Sequence, residues 1–425
     1  MDFHNKRITV VGLGKSGQAA ARLCHQRGAR VFLSEYSPID KIDAGFRCWI
    51  SEQKIDAEFG GHSRERIEQS DLLVVSPGVP ADADPIRWAK AAGILVIGEV
   101  ELGFRVCPCP VIAVTGSNGK TTVTTLIGRV LEAAGRKVFV GGNIGRPLCD
   151  HVEGLTPDHW AILEISSFQL ETIQQFRPQV AVLLNISQNH LDRHADMQEY
   201  IQAKARIFEN QTSGDFAVLN ARETVCCDLA GTVKSQVAWF NEEKAGTIVD
   251  SNPNFSAVRA VAGVLGISRE CCDQVFQSFK GIEHRLESVA VVNGVEYIND
   301  SKSTTTEATR WALLRLEAPI VWICGGRDKN LDFSVLREMV TQKVRTIIAI
   351  GEARAKIQGV FDGYAPVECF TDFKLAIEAA ARVAVKGDRV LLSPMCASFD
   401  MFDNFEHRGR EFKRLVKQLL PGGSV

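Results

Sequence analysis

The feature that most constrains this chain is the segment VIAVTGSNGKTT, residues 111–122. Its first four residues are apolar and indicate a buried strand, and a helix-compatible sequence follows its glycine loop. A strand, a glycine loop ending in Lys-Thr and a helix together bind nucleotide triphosphates, because backbone N–H groups of the loop and of the helix N-terminus face phosphate oxygens. We expect Lys120 to reach the outer phosphates and the Thr121 hydroxyl to bind Mg2+. The loop is shorter than the usual motif, because Val114 stands where a glycine is expected and Gly116 serves instead, so a plain glycine turn is the alternative.

Length and composition limit the class of protein. The chain has 425 residues, which suggests about three domains. It is 45% apolar and 24% charged, as in globular proteins, and its net charge of −2 gives no sign of a nucleic-acid binder. The first residues lack the pattern of a signal peptide, and no apolar run is long enough to predict a membrane span. We therefore expect a cytoplasmic protein, a monomer, that neither binds nucleic acid nor inserts into a membrane.

The 12 cysteines are scattered along the chain. The closely spaced pairs Cys107-Pro-Cys109, Cys226-Cys227 and Cys271-Cys272 lack the C-x-x-C spacing. We expect reduced, mostly buried thiols.

The first hundred residues contain a second nucleotide-binding pattern. A strand at residues 8–11 leads into GLGKSG, residues 12–17, and an alanine-rich helix and a second strand ending at Glu35 follow. This is a βαβ unit with G-x-G-x-x-G at its first turn. The motif predicts phosphate or nucleotide binding and does not specify which nucleotide.

Strand and helix patterns alternate along the rest of the chain. They indicate a second parallel sheet around the glycine loop and a third sheet after residue 287. We predict an α/β protein of three domains: Rossmann-like at 1–107, a P-loop-type parallel sheet at 108–283, and Rossmann-like at 284–425. Ligands of such sheets bind at the carboxyl ends of the strands.

Two residues suggest a metal site behind the P-loop sheet. Glu164 lies in the apolar sequence WAILE, where a carboxylate is costly unless it is paired or metal-bound. His190 follows the next strand, in NISQNHLDRH. The two together favour a Mg2+ site, and a structural ion pair is the alternative.

Polar segments recur in the third module. They contain Arg285 in GIEHRLE, Asp300 and Lys302 in NDSKST, Lys329 in GGRDKN and Ser398 in SPMCASFD. Each segment alone is an ordinary loop. Together they predict a polar, cationic rim for an anionic small substrate.

Eight motifs follow one another in a set order: GSNGKTT, GGNIG, EISSFQLE, NHLDRH, GIEHRLE, NDSKST, GGRDKN and LSPMCASFDMFDNFEHRG. This series resembles the Mur ligase family over essentially the whole chain, and ISSFQLE and SPMCASFDMF are most similar to its D-glutamate-adding members. The resemblance implies a ligase that uses ATP and two Mg2+ ions to add D-glutamate to UDP-N-acetylmuramoyl-L-alanine through an acyl phosphate, in the cytoplasmic part of peptidoglycan synthesis. The resemblance also implies that GLGKSG binds the UDP end of the substrate and not a dinucleotide.

The resemblance also implies four groups of site residues. The implied ATP-binding residues are Gly116, Ser117, Asn118, Gly119, Lys120, Thr121, Thr122, Asn254, Arg285, Asp300 and Lys302. Those for the UDP-substrate are Gly14, Lys15, Ser16, Glu35, Ser76, Gly78 and Asn143, and those for D-glutamate are Thr304, Lys329, Ser398 and Phe405. The implied metal ligands are Thr121, Glu164, His190 and a carbamylated Lys204, and the implied catalytic residues are Lys120, His190 and Lys204. Without the resemblance, Lys204 would be taken for a solvated helix lysine.

Three positions depart from the family pattern. Asp250-Ser251 stands where His-Asn is common, Ser303-Thr304-Thr305 replaces Ala-Thr-Asn, and Glu35 replaces a more usual Asp. These departures leave contacts to adenine, to a substrate and to uracil less well defined.

Two alternatives to this function remain. One is another acid–amino-acid ligase on the same scaffold, of Mur or folylpolyglutamate type. The other is a nicotinamide-dependent oxidoreductase or nucleotide-sensing regulator built on G-x-G-x-x-G. The P-loop together with Glu164 and His190 argues against the second.

Overall fold

The computed structural model describes residues 2–187, 196–242, 250, 252–279, 281–328 and 331–420. The chain forms two compact units, Met1–Ser278 and Phe279–Val425. Three largely parallel sheets confirm the predicted α/β class. None of the described helices has the length and apolar character needed to cross a membrane.

The first sheet belongs to the first unit. Its strands are β1 (Arg7–Val11), β2 (Arg30–Glu35), β3 (Asp56–Phe59), β4 (Leu72–Val75) and β5 (Leu95–Gly98), and its helices are α1 (Lys15–Gln26), α2 (Ala44–Glu52), α3 (Arg64–Glu68), α4 (Asp84–Ala91) and α5 (Glu99–Phe104). The strand order is β3-β2-β1-β4-β5, with every neighbouring pair parallel. GLGKSG forms the turn from β1 to α1, as predicted. A Cβ on Gly17 would collide with the carbonyl oxygen of Gly12, so the close approach of helix and strand requires glycine there.

The central sheet also belongs to the first unit. Its strands are β6 (Val111–Thr115), β7 (Lys137–Gly142), β8 (His159–Glu164), β9 (Val180–Leu183), β10 (Phe216–Asn220) and β11 (Gln236–Phe240). Its helices are α6 (Lys120–Ala133), α7 (Ser167–Leu170), α8 (Met197–Ala205), α9 (Thr224–Ala230), α10 (Pro253–Val264) and α11 (Arg269–Ser278). The order is β11-β10-β9-β6-β8-β7 and every neighbouring pair is parallel. All five residues of β6 are buried. β6 also lies between β9 and β8, so the strand that leads into the glycine loop is fixed inside the sheet.

The second unit contains the third sheet. Its strands are β12 (Glu287–Val292), β13 (Val295–Asn299), β14 (Ile320–Gly325), β15 (Val344–Ile350), β16 (Val367–Phe370) and β17 (Arg389–Leu392), and its helices are α12 (Thr306–Arg315), α13 (Arg337–Lys343), α14 (Arg354–Phe361), α15 (Phe373–Val383) and α16 (Phe405–Gln418). The order is β12-β13-β17-β14-β15-β16, and only β12 runs antiparallel to its neighbour. β14 separates two apolar clusters, with Trp322 packed in one and Ile323 in the other.

A buried carboxylate joins the first two sheets. Glu101 on α5 is fully buried, and its two oxygens accept hydrogen bonds from the backbone N–H groups of Gln174, Gln175 and Phe176 at 2.9 Å. Arg105, one turn further along the helix, pairs with the same carboxylate at 2.7 Å. Because the three N–H groups lie in the connection that leads into β9, Glu101 fixes the end of the first sheet against the central sheet.

Replacing Glu101 by glutamine should destabilise the first unit by about 3 kcal/mol. The amide removes the charge that pairs with Arg105, and its NH2 group must replace one of the two oxygens, each of which accepts hydrogen bonds from buried donors. The measurement is the free energy of unfolding of the first unit in urea, followed by circular dichroism.

Glu99→Gln is the matched control. Glu99 is also buried on α5 and accepts the Cys149 N–H at 2.7 Å, but its Oε2 has no hydrogen-bond partner among the described residues, and burial raises its pKa to about 7. Below that pKa the residue is mostly protonated, so the amide should cost less than about 1 kcal/mol. Equal losses in the two variants would contradict the role assigned to Glu101.

Candidate active site

The glycine loop connects β6 to α6, which begins at Lys120. Gly119 adopts φ +84°, and a Cβ placed on it would lie 2.6 Å from the Asn254 side-chain oxygen. The side chain of Asn254, on α10, therefore lies against the loop. The structure thus brings the predicted ATP-binding residues of the first unit together.

The loop makes hydrogen bonds that its sequence did not reveal. The Ser117 N–H donates to the Asn185 carbonyl oxygen, and the Asn118 N–H donates to the Asn185 side-chain oxygen, both at 2.9 Å. The Ser117 hydroxyl also lies 3.2 Å from the Tyr200 hydroxyl. The N–H groups of Ser117 and Asn118 thus donate to Asn185 in this structure, whereas the sequence analysis expected loop N–H groups to face phosphate oxygens.

Lys120 folds back over its own loop. Its Nζ donates to the carbonyl oxygens of Gly116 and Ser117 at 2.9 and 3.0 Å. Thr121 follows on the helix and is 7% exposed. The ammonium therefore lies against the carbonyl oxygens of the glycine loop, and its phosphate-binding role stays a prediction.

Lys204 is buried rather than solvated. It lies near the end of α8 with 1% exposure, and its Nζ donates to the Gly116 carbonyl oxygen at 3.1 Å. Burial lowers the pKa of Lys204 well below its ordinary value, and the positive charge of Lys120 lowers it further, while Glu164 acts in the opposite direction. Lys204 therefore carries a neutral amine far more readily than a surface lysine does.

Glu164 is the last residue of β8 and is 3% exposed. One carboxylate oxygen accepts a hydrogen bond from the Asn143 side-chain amide at 2.8 Å, and the Asn143 N–H donates to the Glu164 carbonyl oxygen at the same distance. The other carboxylate oxygen, Oε2, is buried and has no hydrogen-bond partner among the described residues. An unpartnered buried anion of this kind fits a bound cation.

His190 lies outside the described residues, so the predicted pairing of Glu164 with His190 stays a prediction. Among the residues the structure does describe, no group of three or more His, Cys, Asp and Glu side chains is arranged to hold a metal ion.

A cavity of about 560 Å3 opens at the carboxyl ends of β1 and β2. It is lined by the predicted residues Gly14, Glu35, Ser76 and Gly78, and by Tyr36 and His62, which the sequence analysis did not single out. The Glu35 carboxylate accepts from the Leu13 N–H at 2.6 Å and from the Ser37 N–H at 2.8 Å, so it shapes its own loop.

Lys15 and Ser16 begin α1 and are not part of the cavity lining. Lys15 points toward the central sheet instead: its Nζ lies 4.0 Å from the position of a Cβ on Gly145. The GGNIG segment, which also contains Asn143, is thus close to the start of α1. The predicted residues of the UDP-substrate group therefore extend from the cavity to the central sheet.

In the second unit, Asp300 is 2% exposed, and burial raises its pKa to about 6. Its carboxylate accepts from the Leu286 N–H at 3.2 Å and from the Ser393 hydroxyl at 2.8 Å. In this structure Asp300 therefore joins the segment around Arg285 to the end of β17. That it accepts a hydrogen bond from adenine or ribose stays a prediction.

Lys302 lies beside the same segment, because its N–H donates to the His284 carbonyl oxygen at 3.1 Å. Arg285, the next residue after His284, is brought to the same end of the sheet as Lys302.

Two of the predicted D-glutamate residues, Thr304 and Ser398, lie near loops that Arg408 joins, and a third, Phe405, begins α16. The buried Arg408 guanidinium donates to the Ser301 carbonyl oxygen at 3.0 Å and to the Cys396 carbonyl oxygen at 3.3 Å. These loops continue into Thr304 and Ser398, and the Phe405 carbonyl oxygen accepts from the Ser301 hydroxyl at 2.8 Å. Lys329 lies outside the described residues.

Three family models match the chain. They are Mur ligase MurD-like, N-terminal domain, over residues 6–98, Mur ligase middle domain over 114–262, and Mur ligase, glutamate ligase domain, over 284–396.

Two similar proteins, both named UDP-N-acetylmuramoylalanine–D-glutamate ligase, come from Koribacter versatilis and Acidobacterium capsulatum. The first is 42% identical over 99% of this chain and 99% of its own length, and the second is 40% identical over 98% and 97%.

Solved structures of MurF from Acinetobacter baumannii and of the UDP-N-acetylmuramate-alanine ligase MurC from Thermotoga maritima share the fold. MurF matches with a TM-score of 0.60 at 17% identity, covering 96% of this chain and 94% of its own, and MurC with 0.58 at 16%, covering 97% and 100%. With full-length relatives at this level of identity, the chain belongs to the Mur ligase family.

Proposed function

We propose that this protein is an ATP-dependent ligase that joins D-glutamate to UDP-N-acetylmuramoyl-L-alanine. The observation that carries the proposal is the P-loop of β6 and α6, with the buried Lys204 against it, in the same unit as the nucleotide-sized cavity of the first sheet. Full-length relatives that bear the name of this activity support the choice of substrates. Substrates of this kind are made and used in the cytoplasm, where we place the enzyme as a monomer with three domains, divided as the sequence predicts.

The UDP end of the substrate would occupy the cavity at Gly14, Glu35, Ser76 and Gly78. The remainder would extend past Lys15 toward Asn143, because these two residues lie on the path from the cavity to the central sheet. The substrate carboxylate would then reach the P-loop.

The reaction consists of two substitutions. A carboxylate oxygen of the substrate attacks the γ-phosphorus of ATP, an O–P bond forms, and ADP leaves with the electrons of the broken bond. The amine of D-glutamate then attacks the acyl carbon, loses a proton, and inorganic phosphate leaves. Lys120 would offset the charge that develops on the transferred phosphoryl group.

Two Mg2+ ions would be held by Thr121, Glu164, His190 and Lys204, of which the orphaned Oε2 of Glu164 is the strongest support. When bound, they would neutralise phosphate charge.

Lys204 would serve as a carbamate. Its neutral amine attacks the carbon of CO2 and one proton is released, so the side chain, a cation when protonated, becomes an anion. The lowered pKa of Lys204 favours this reaction, since only the neutral amine is nucleophilic.

The second unit would bind the adenosine end of ATP through Arg285, Asp300 and Lys302. It would bind D-glutamate through Thr304, Lys329, Ser398 and Phe405. The hydrogen bonds of Arg408 support this grouping, because they hold two of the contributing loops at the same end of the third sheet.

We expect phosphate release to require ATP with Mg2+, UDP-N-acetylmuramoyl-L-alanine and D-glutamate together, because the acyl phosphate forms on one substrate and is consumed by the other. A coupled phosphate assay with each component omitted in turn measures this. L-Glutamate is the matched control. Equal turnover with L-glutamate or L-lysine would remove the D-glutamate assignment and favour another ligase of the same scaffold.

Lys120→Ala should lower turnover roughly 10²-fold or more, the scale for losing one preorganised electrostatic contact. Steady-state phosphate release measures the loss, and the thermal midpoint should change little, because Lys120 is not part of a hydrophobic core. Lys137→Ala is the control, since Lys137 is exposed on the surface. Near-normal turnover in Lys120→Ala would mean that the loop is only a turn.

Lys204→Ala should lose most activity, and Lys204→Arg should not restore it, because arginine cannot form a carbamate. A second readout is independent of turnover: incubation with 13C-bicarbonate should give a carbamate carbon signal by NMR in the parent and in Lys137→Ala, and none in Lys204→Ala. Full activity in Lys204→Ala, or a carbamate signal that persists in it, would contradict this role.

A further inference from the structure

Two thiols lie together on the connection between the first sheet and the central sheet. The Sγ atoms of Cys107 and Cys109 are 3.5 Å apart, and both cysteines are free. Only Pro108 separates them, and its ring fixes one backbone angle of the connection. The short segment therefore keeps the two sulfur atoms close to each other.

The two thiols differ in access and in acidity. Cys107 is half-buried, whereas Cys109 is 7% exposed. The hydrogen bond between the two thiols lowers the pKa of Cys107 to about 7, and the same contact raises the pKa of Cys109. Cys107 is thus the more exposed and the more acidic of the two thiols, and Cys109 lies buried beside it, the arrangement of an attacking and a resolving cysteine.

We propose that Cys107 and Cys109 form a redox-active dithiol that small-molecule disulfides of the glutathione type convert to an intramolecular disulfide. The Cys107 thiolate attacks one sulfur of the small disulfide, whose S–S bond breaks and releases one thiolate. Cys109 then gives its proton to that thiolate and attacks the Cys107 sulfur of the mixed disulfide, which releases the second small thiolate. Two cysteine thiols are oxidised, and one small disulfide is reduced to two thiols.

The surrounding backbone permits this closure. A disulfide requires the two sulfurs to approach to about 2.05 Å. The pair lies in irregular backbone, after α5 ends at Phe104 and before β6 begins at Val111. The Pro110 carbonyl oxygen already accepts the Ala161 N–H at 3.0 Å, which anchors the start of the central sheet. Rotation of the two side chains and movement of the loop can therefore bring the sulfurs together while β6 stays in place.

The test uses the full chain, glutathione disulfide as the probe, alkylation of remaining thiols, and mass spectrometry of tryptic peptides. Residues 106–120 form one such peptide, and its only cysteines are Cys107 and Cys109. We expect it to lose two hydrogens and to take up no alkyl group, and dithiothreitol should reverse the change. In Cys109→Ser the reaction should stop at a glutathione adduct on Cys107, and in Cys107→Ser the peptide should stay reduced.

The adjacent pair Cys226 and Cys227, one buried and one exposed, is a matched control within the same digest. Its peptide, residues 223–234, should carry at most a glutathione adduct. The proposal is overturned if residues 106–120 keep two alkylated thiols while Cys227 is glutathionylated, or if the parent protein stops at the mixed disulfide. Equal thermal midpoints of the two serine variants and the parent protein would exclude misfolding as the cause of their different chemistry.

Discussion

The buried carboxylate of Glu101 is the interaction on which the arrangement of the first unit depends. Three backbone N–H groups and one guanidinium converge on it, so protein groups compensate its charge. Glu101 lies between the end of the first sheet and the connection into β9. It therefore holds the cavity of the first sheet at a fixed position relative to the glycine loop of the central sheet. A substrate that occupies the cavity and reacts at the loop needs such a fixed relation, since a small displacement of reacting atoms costs a large factor in rate.

Much of this architecture could be predicted from the sequence. The strand expected at residues 8–11 is β1 (Arg7–Val11), the next strand ends at Glu35 as expected, and a parallel sheet surrounds the glycine loop. β3, β11 and β16 are harder to predict, because they are edge strands with partly exposed residues and lack the continuous apolar run that identifies a buried parallel strand. The hydrogen bond from the glycine loop to Asn185, which follows β9, also has no local pattern.

The candidate site was predictable where it consists of motifs and not where it depends on packing. The P-loop, the cavity loops and the polar segments of the third sheet have local patterns, and these lie at strand ends as expected. Arg408 has no such pattern: one arginine on a polar helix is normally exposed, and its burial depends on contacts with the Ser301 loop, 107 residues away in sequence, as well as with the nearby Cys396 loop. Tyr36 and His62 were missed for the same reason, because only the folded sheet places them at one cavity.

The charge of Lys204 connects this packing to the proposed chemistry. As an ammonium it would share a buried region with Lys120, and burial and repulsion both act against that state. As a neutral amine it loses the repulsion but leaves Glu164 with a buried oxygen that no described group satisfies. As a carbamate it would add a second anion to this region, which is unfavourable unless cations are present. Burial of Lys204, the orphaned oxygen of Glu164 and the proximity of Lys120 therefore support the proposed site, in which divalent cations and phosphates would balance these charges.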